Sequence, residues 1–294
     1  MRLVTYARNG ARRLGTLVGD TVVDLPDSVG HPAFPTTMES LARAGPGALE
    51  VAREALDRDR ALEHAVPGAR LLAPILPSSL RDFLAFEDHL RAGAERRGAA
   101  IPSVWYDMPL YYKGNHRSVF GPDDDVPWPP YTDELDYELE VACVLGGGGR
   151  DLSERDAAAL ILGYTLMNDW SARDIQRSEM TGGLGPAKGK DFATSLGPFV
   201  VTPDEVDVSD LALEARVDGE TWSKGNLGGS RWSFPQMIAH VSRGEDVWPG
   251  DVYGSGTFGG GCGLDLGKLL WPGATVELEG ERLGVLRSSV GRKP

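Results

Sequence analysis

Asp136, Glu138 and Glu140 occupy alternate positions in the stretch Leu135-Asp136-Tyr137-Glu138-Leu139-Glu140-Val141-Ala142-Cys143-Val144-Leu145. On a strand, alternation places these carboxylates on one face and Leu135, Tyr137, Leu139 and Val141 on the other. From Val141 to Leu145 both faces turn apolar. The two glutamates therefore stand roughly 7 Å apart at the mouth of a strand that enters the interior. Buried carboxylates need compensation. Arg or Lys can supply it, and a hard divalent cation suits converging oxygens better. The strand alone leaves both a metal site and plain edge-strand acidity open.

A second group lies in Asn168-Asp169-Trp170-Ser171-Ala172-Arg173-Asp174-Ile175-Gln176. A helix beginning at Asn168 or Asp169 would bring Asp169, Arg173 and Gln176 to one face, an acid, a base and an amide pointing the same way; a routine Asp to Arg helical pair gives the same spacing. Gly185, Gly189 and Gly197 surround Lys188 and Lys190. Gly254, Gly256 and Gly259 match the spacing of a dinucleotide fingerprint. No helical pattern follows them, so a nucleotide site is discounted. These glycines instead let backbone amides and Thr257 approach a small ligand closely.

The 294 residues carry a net charge of −13 and a pI near 4.9, which argues against nonspecific binding to nucleic acid or anionic membrane. Cys143 and Cys262 have neither zinc spacing nor a disulfide framework. No apolar run approaches the ~20 residues of a membrane span, and the N-terminus lacks a signal h-region, so a cytoplasmic protein is expected.

The elements that must position these groups can be read in outline. Leu3 to Ala7, Leu14 to Val18 and Thr21 to Leu25 form an antiparallel meander with turns at Asn9-Gly10 and Gly19-Asp20. Helices start near Thr36 or Thr37 and run from Pro46 to about Arg60. Pro67, Pro74 and Pro77 mark a join near residue 70, dividing the chain into a small N-terminal β-rich domain, 1–70, and a larger one, 71–294. Residues 101–133, rich in Pro, Asp and aromatics, read as a long loop, either a lid or a surface wrap. Ser153 with Asp156 and Ser233 with Gln236 open helices in the manner of capping pairs. Further strands are expected at Phe199 to Thr202, Thr275 to Leu278 and Gly284 to Leu286.

Several separated segments then agree with one family. Asp82-Phe83-Leu84-Ala85-Phe86-Glu87-Asp88-His89, Asp136-Tyr137-Glu138-Leu139-Glu140, Met167 to Gln176, Gly189-Lys190-Asp191-Phe192 and Gly256-Thr257 run in the order found there. On these motifs the sequence resembles the fumarylacetoacetate hydrolase family. The resemblance implies an α+β, mainly β fold, with a mixed β-roll catalytic domain behind a small N-terminal β domain, in a homodimer. It implies a divalent metal, Mg2+ or alternatively Mn2+ or Ca2+, held by Glu138, Glu140 and Asp169, with Asp82 as a further ligand. His89 matches the general base. Lys190, Arg173 and Gln176 match residues that handle substrate oxygens, and Tyr112 and Thr257 match substrate contacts. Leu264-Asp265-Leu266 resembles a Leu-Glu-Leu triplet whose acid partners the histidine; here the acid is aspartate and the loop before it is shorter. Glu87 and Asp88 are local substitutes for that partner. Without the family pattern, a lone histidine on an apolar helix reads as structural.

The activity implied is metal-dependent hydrolysis of a carbon-carbon bond in a β-diketo acid, an acylpyruvate or a fumarylacetoacetate-like compound. Isomerisation, decarboxylation or hydration of a 2-oxo acid uses the same metal and enolate chemistry. A non-catalytic metal-binding protein is the reading from another class, and loss of a ligand or of Lys190 would have favoured it.

Overall fold

A computed structural model describes residues 1–56, 62–96 and 98–294. The meander is present as β1 (Arg2–Arg8), β2 (Ala11–Val18) and β3 (Thr21–Asp24). The third strand stops before Leu25, because Asp24 caps a short helix with Pro26 in its first turn, α1 (Leu25–Val29). Then come α2 (Met38–Ala44), with Thr37 and Ser40 in a capping box, and α3 (Pro46–Leu56). Residues 57–60, the expected end of α3, lie outside the described residues.

The join contains β4 (Leu71–Leu72), followed by β5 (Leu80–Phe83) and α4 (Glu87–Arg96). Residues 101–133 are not one irregular loop. They contain α5 (Val104–Asp107), β6 (Tyr111–Gly114), β7 (Val119–Phe120) and β8 (Asp125–Val126). Trp105 is fully buried and its indole N–H donates to the Leu84 carbonyl, while β6 pairs with β5 from Phe83–Tyr111 to Leu80–Gly114. The aromatics that lack local periodicity are anchored by partners distant in the chain.

The acidic stretch is also not one strand. β9 (Leu135–Asp136) and β10 (Leu139–Leu145) are separated at Tyr137 and Glu138. α6 (Glu154–Ala159), capped by Ser153, leads to β11 (Ile161–Asn168), β12 (Ser171–Ala172), α7 (Arg173–Met180) and β13 (Thr194–Val201). Helix α7 therefore starts at Arg173, and Asp169 belongs to the turn after β11. The remaining elements are β14 (Ala212–Val217), β15 (Glu220–Asn226), α8 (Phe234–Ser242) with the expected Ser233 and Gln236 capping box, β16 (Val252–Gly254), β17 (Thr275–Gly280) and β18 (Gly284–Val290).

Two layers of sheet result. The larger sheet runs β3-β2-β1-β13-β11-β10-β16-β5-β6, with β4 on β1 and β7 on β13; the smaller runs β15-β14-β17-β18-β8. Both are mixed, since β16 with β5, β13 with β7 and β18 with β8 are parallel pairs. The meander is continuous with the larger sheet through Arg2–Val201 and Leu3–Val200, so no break in the sheet falls at residue 70. Alternation along β10 divides the core. Leu139, Val141, Cys143 and Leu145 join Leu213, Ala215, Val276 and Leu278 between the sheets, whereas Ala142 and Val144 pack with Leu25, Met38 and Leu41 under the N-terminal helices. Glu140 lies on this second face, where the sheet carries polar groups at its end. Among the described residues no helix is long and apolar enough to cross a membrane.

Candidate active site

The carboxylates of Asp82, Glu138, Glu140 and Asp169 converge, with one oxygen of each within 4.8 Å of the others, and all four residues are buried. They come from β5, the break before β10, β10 itself and the turn after β11. The register explains the meeting: Gly254 of β16 pairs with Ala142 on one side and Asp82 on the other. A Cβ on Gly254 would overlap Met167 Cε and stand 2.5 Å from Asp82 Oδ1 and 3.0 Å from Glu140 Oε2. Only glycine leaves room there for both carboxylates.

The 168–176 string builds the neighbouring wall. Asn168 Oδ1 accepts the Glu138 amide at 3.0 Å, fixing the break in the acidic stretch. Trp170 is buried, with its indole N–H on Ser195 Oγ at 2.8 Å. The Ala172 amide reaches Gly189 O and the Arg173 amide Glu134 O, each at 2.8 Å, which explains why the helix begins only at Arg173. Arg173 and Gln176 then share a helical face, Nη1 donating to Oε1 at 3.0 Å, while Asp169 lies in the turn before the helix and meets Lys190 and Tyr112 instead.

Positive charge is unevenly placed. Lys190 Nζ donates to Glu138 Oε2 at 2.6 Å and also to Asp169 Oδ2. Arg173 Nη1 lies 2.7 Å from Glu138 Oε1. Burial alone would push Lys190 toward neutrality, but Asp169 and Glu138 outweigh it and raise its pKa. Burial likewise pushes Glu138 up, and the charges of Lys190, Arg173 and His89 more than reverse this, holding Glu138 below the usual carboxylate range. Among the described residues Asp82 and Glu140 have no cationic partner in contact: both accept the Gly256 amide, at 3.2 and 3.0 Å, and their carboxyl groups lie against each other. Both are pushed well above the carboxylate range, first by burial, then by the Asp169 charge on Asp82 and by the Asp82 and Asp169 charges on Glu140. Two unit charges ~5 Å apart repel by roughly 3 kcal/mol at an effective dielectric of ~20. Glu140 Oε1 is buried without a hydrogen-bond partner. An all-oxygen donor set, a deficit of positive charge and an orphaned oxygen all fit a hard divalent cation. This acidic cluster can hold a metal ion.

Tyr112, on β6, donates to Asp169 Oδ1 at 2.7 Å. Its hydroxyl thus meets the acidic cluster directly. Thr257 Oγ1 donates to the Leu139 carbonyl at 3.0 Å, and the Gly256 amide is committed to Asp82 and Glu140, so the glycine run shapes the cluster itself.

His89 occupies the first turn of α4, and its Nδ1 lies 2.8 Å from Asp265 Oδ2. Asp265 is a half-buried residue whose side chain is only 3% exposed, and it also accepts the Gly260 amide at 3.1 Å and Arg96 Nη2 at 3.0 Å. Burial raises its pKa, but the hydrogen bond and charge of His89 bring it below the ordinary value. The local substitutes are engaged elsewhere: Glu87 accepts from Arg91 and Tyr106, and Asp88 from Arg91. Cys262 lies beside His89 and Asp265. Two supporting groups had not been singled out. Arg96 is seven residues from His89, a spacing that puts both on one face of a helix. Asp136 was seen only as one of three strand carboxylates.

Residues 79–291 match the family described as fumarylacetoacetate (FAA) hydrolase, C-terminal. The mitochondrial oxaloacetate tautomerase Fahd2a of Rattus norvegicus is 32% identical over 291 residues, covering 93% of this chain and 85% of that protein. The solved fumarylacetoacetate hydrolase from Exiguobacterium antarcticum superposes with a TM-score of 0.79 at 26% identity, covering 99% of each chain. The solved 5-carboxymethyl-2-hydroxymuconate delta-isomerase from Mycobacterium smegmatis does so with a TM-score of 0.73 at 26% identity, covering 100% of each. The chain belongs to the fumarylacetoacetate hydrolase family. That family includes hydrolases, an oxaloacetate tautomerase and isomerases.

Proposed function

We propose that this protein is a metal-dependent hydrolase that cleaves a carbon-carbon bond in a β-diketo acid of the acylpyruvate or fumarylacetoacetate-like class. The observation that carries the reading is the pairing of His89 with Asp265 beside the acidic cluster. Asp82, Glu138, Glu140 and Asp169 would hold a divalent ion such as Mg2+, or Mn2+ or Ca2+, which would supply Lewis-acid polarisation of substrate oxygens. Lys190, Arg173 and Gln176 orient the acid and stabilise oxyanionic charge in a buried setting. An ionised carboxylate is an acceptor only, so Asp265 fixes the imidazole as the Nδ1–H tautomer and leaves Nε2 as the basic nitrogen. His89 Nε2 takes a proton from water, whose oxygen attacks the distal carbonyl carbon. The carbon-carbon bond then breaks, its electron pair passes to the enolate of the keto-acid half, and protonation of that carbon completes the balance.

A second reading is keto-enol tautomerisation of a 2-oxo diacid, supported by the named activity of the rat relative. There His89 would move a proton between carbon and oxygen and no water would add. Incubation with Mg2+ and an acylpyruvate in 18O-labelled water separates the two. Hydrolysis puts the label in the released carboxylate, and His89→Ala should slow it by ~100-fold or more while metal binding persists. Exchange of the C3 hydrogens without cleavage, or cleavage unaffected by His89→Ala, overturns the hydrolase reading. We further propose the homodimer implied by the resemblance, which light scattering would report as twice the chain mass.

A further inference from the structure

Asp136 belongs to the acidic stretch but not to the acidic cluster. Its side chain is fully buried between the two halves of the site. Toward one half, Oδ2 accepts Arg173 Nε at 2.8 Å and Nη2 at 2.7 Å, leaving Nη1 of that guanidinium to lie on Glu138. Toward the other half, Oδ1 accepts the Gly263 amide at 2.9 Å and Oδ2 the Leu264 amide at 3.0 Å. These are the two residues before Asp265. The Tyr137 amide, at 2.9 Å on Oδ1, completes the set and turns the chain out of β9. The approach is close: a Cβ on Gly263 would stand 2.5 Å from Asp136 Oδ1.

An acceptor-only carboxylate can take five such donors; an amide in its place turns an NH2 group toward donors that need an acceptor. Cys262, adjacent to this loop, is bridged to Glu138 through backbone pairing. The strand that supplies the metal ligands and the loop that supplies the histidine's partner therefore share one anchor.

We propose that Asp136 is a positioning residue that sets the Asp265–His89 pair relative to the acidic cluster, acting through the Gly263 and Leu264 amides on one side and Arg173 on the other. This rests on the reading of His89 as the base, and Asp136 itself lies outside the acidic cluster. A displacement of about 1 Å at such a pair is enough to cost catalysis about 100-fold.

The test follows the Nδ1 proton of His89 by NMR in wild type and in D136N, D265N and G263A, alongside kcat for the best substrate. Wild type should show a downfield imidazole proton held by Asp265. D265N should lose it, and D136N should lose or broaden it although residue 265 is unchanged. G263A puts a methyl group 2.5 Å from Asp136 Oδ1 and 2.6 Å from the Lys268 carbonyl at a φ of −63° that suits alanine, so it pushes the loop away from Asp136 without changing any side chain of the acidic cluster. It should show the same loss while keeping Mg2+ affinity within about twofold of wild type, so the comparison stands even if D136N does not fold. D136N should lower kcat by about 10- to 100-fold in the wild-type background and by less than about twofold on top of D265N, because both act on one pair. An undisturbed Nδ1 proton in G263A, or kcat losses of D136N and D265N that multiply, overturns the proposal. The proton signal does not depend on which keto acid is turned over. A protein that only tautomerises therefore refutes the hydrolase reading and leaves this inference to be decided by NMR.

Discussion

Gly254→Ala places one methyl group where two carboxylates of the acidic cluster meet. The backbone raises no objection, since Gly254 lies in a strand between Ala142 and Asp82 and is not among the positive-φ glycines. Removing a strand glycine would by itself gain roughly 0.5–1 kcal/mol. The added carbon overlaps Met167 Cε and stands 2.5 Å from Asp82 Oδ1 and 3.0 Å from Glu140 Oε2. Met167 can swing its terminal methyl away, whereas the carboxylates are fixed by short stems in a closed site. Overpacking of this kind costs roughly 1–3 kcal/mol, so the metal-free protein should change by about −2.5 to 0 kcal/mol and remain folded. Metal binding should suffer more, because at least one of these oxygens must leave its place. The expected loss is tenfold or more in Mg2+ affinity, about 1.4 kcal/mol. Titration calorimetry of the metal-free protein measures this directly, with urea unfolding as the control. An alanine variant that binds Mg2+ as wild type does would refute the assignment of Asp82 and Glu140 as ligands that share this space.

Three further outcomes follow from individual contacts. Glu140→Gln should lower Mg2+ affinity by more than about tenfold and raise the melting temperature of the metal-free protein at pH 7, since burial beside Asp82 and Asp169 already disfavours the Glu140 charge and the amide carries none; melts with and without Mg2+ read both effects. Thr257→Val should cost roughly 1–2 kcal/mol in urea unfolding through the lost bond to Leu139; KM measured alongside separates this structural bond, which leaves KM near wild type, from the substrate contact that the resemblance implies, which raises it. Asp24 is buried, and although burial pushes its pKa up, hydrogen bonds from Arg13, Tyr6 and the Asp27 amide hold it below the ordinary range. Its stabilisation is therefore complete above the unfolded pKa of ~3.9 and is lost as pH falls through the lower folded value; Asp24→Asn should lose roughly 1–3 kcal/mol at pH 7 and flatten the acid limb of a stability-pH curve.

What could be read from sequence depended on whether a residue's partner was local. Glu138, Glu140 and Asp169 stand in dense motifs, and the structure brings them together with Asp82. The Ser153 and Ser233 caps were legible because capping is settled within three residues. The break at Tyr137 and Glu138 was not, because it is made by Asn168 and by the amides of Gly263 and Leu264, distant in the chain. Helical spacing put Asp169, Arg173 and Gln176 on one face, but the Gly189 and Glu134 carbonyls delay the helix to Arg173, and the turn before it takes Asp169 to Lys190 and Tyr112 instead. In residues 101–133, Trp105 and Tyr112 found partners in Leu84 and Asp169, which no local periodicity encodes.

The distribution of charge also bears on which chemistry the fold performs. In the proposed reading the acidic cluster with Lys190 and Arg173 binds and polarises a 2-oxo acid, a step that hydrolysis and tautomerisation share. It does not distinguish hydrolysis from tautomerisation. In the proposed reading that distinction lies with His89, which pairs with Asp265 on a loop that Arg96, Gly260 and Asp136 hold. A base for hydrolysis must face a water that also faces a carbonyl carbon, whereas a base for tautomerisation needs only to reach a carbon-bound proton. Hydrolysis is therefore the more sensitive of the two to the placement of this loop. A variant that loosens it should lose cleavage before it loses exchange of the C3 hydrogens.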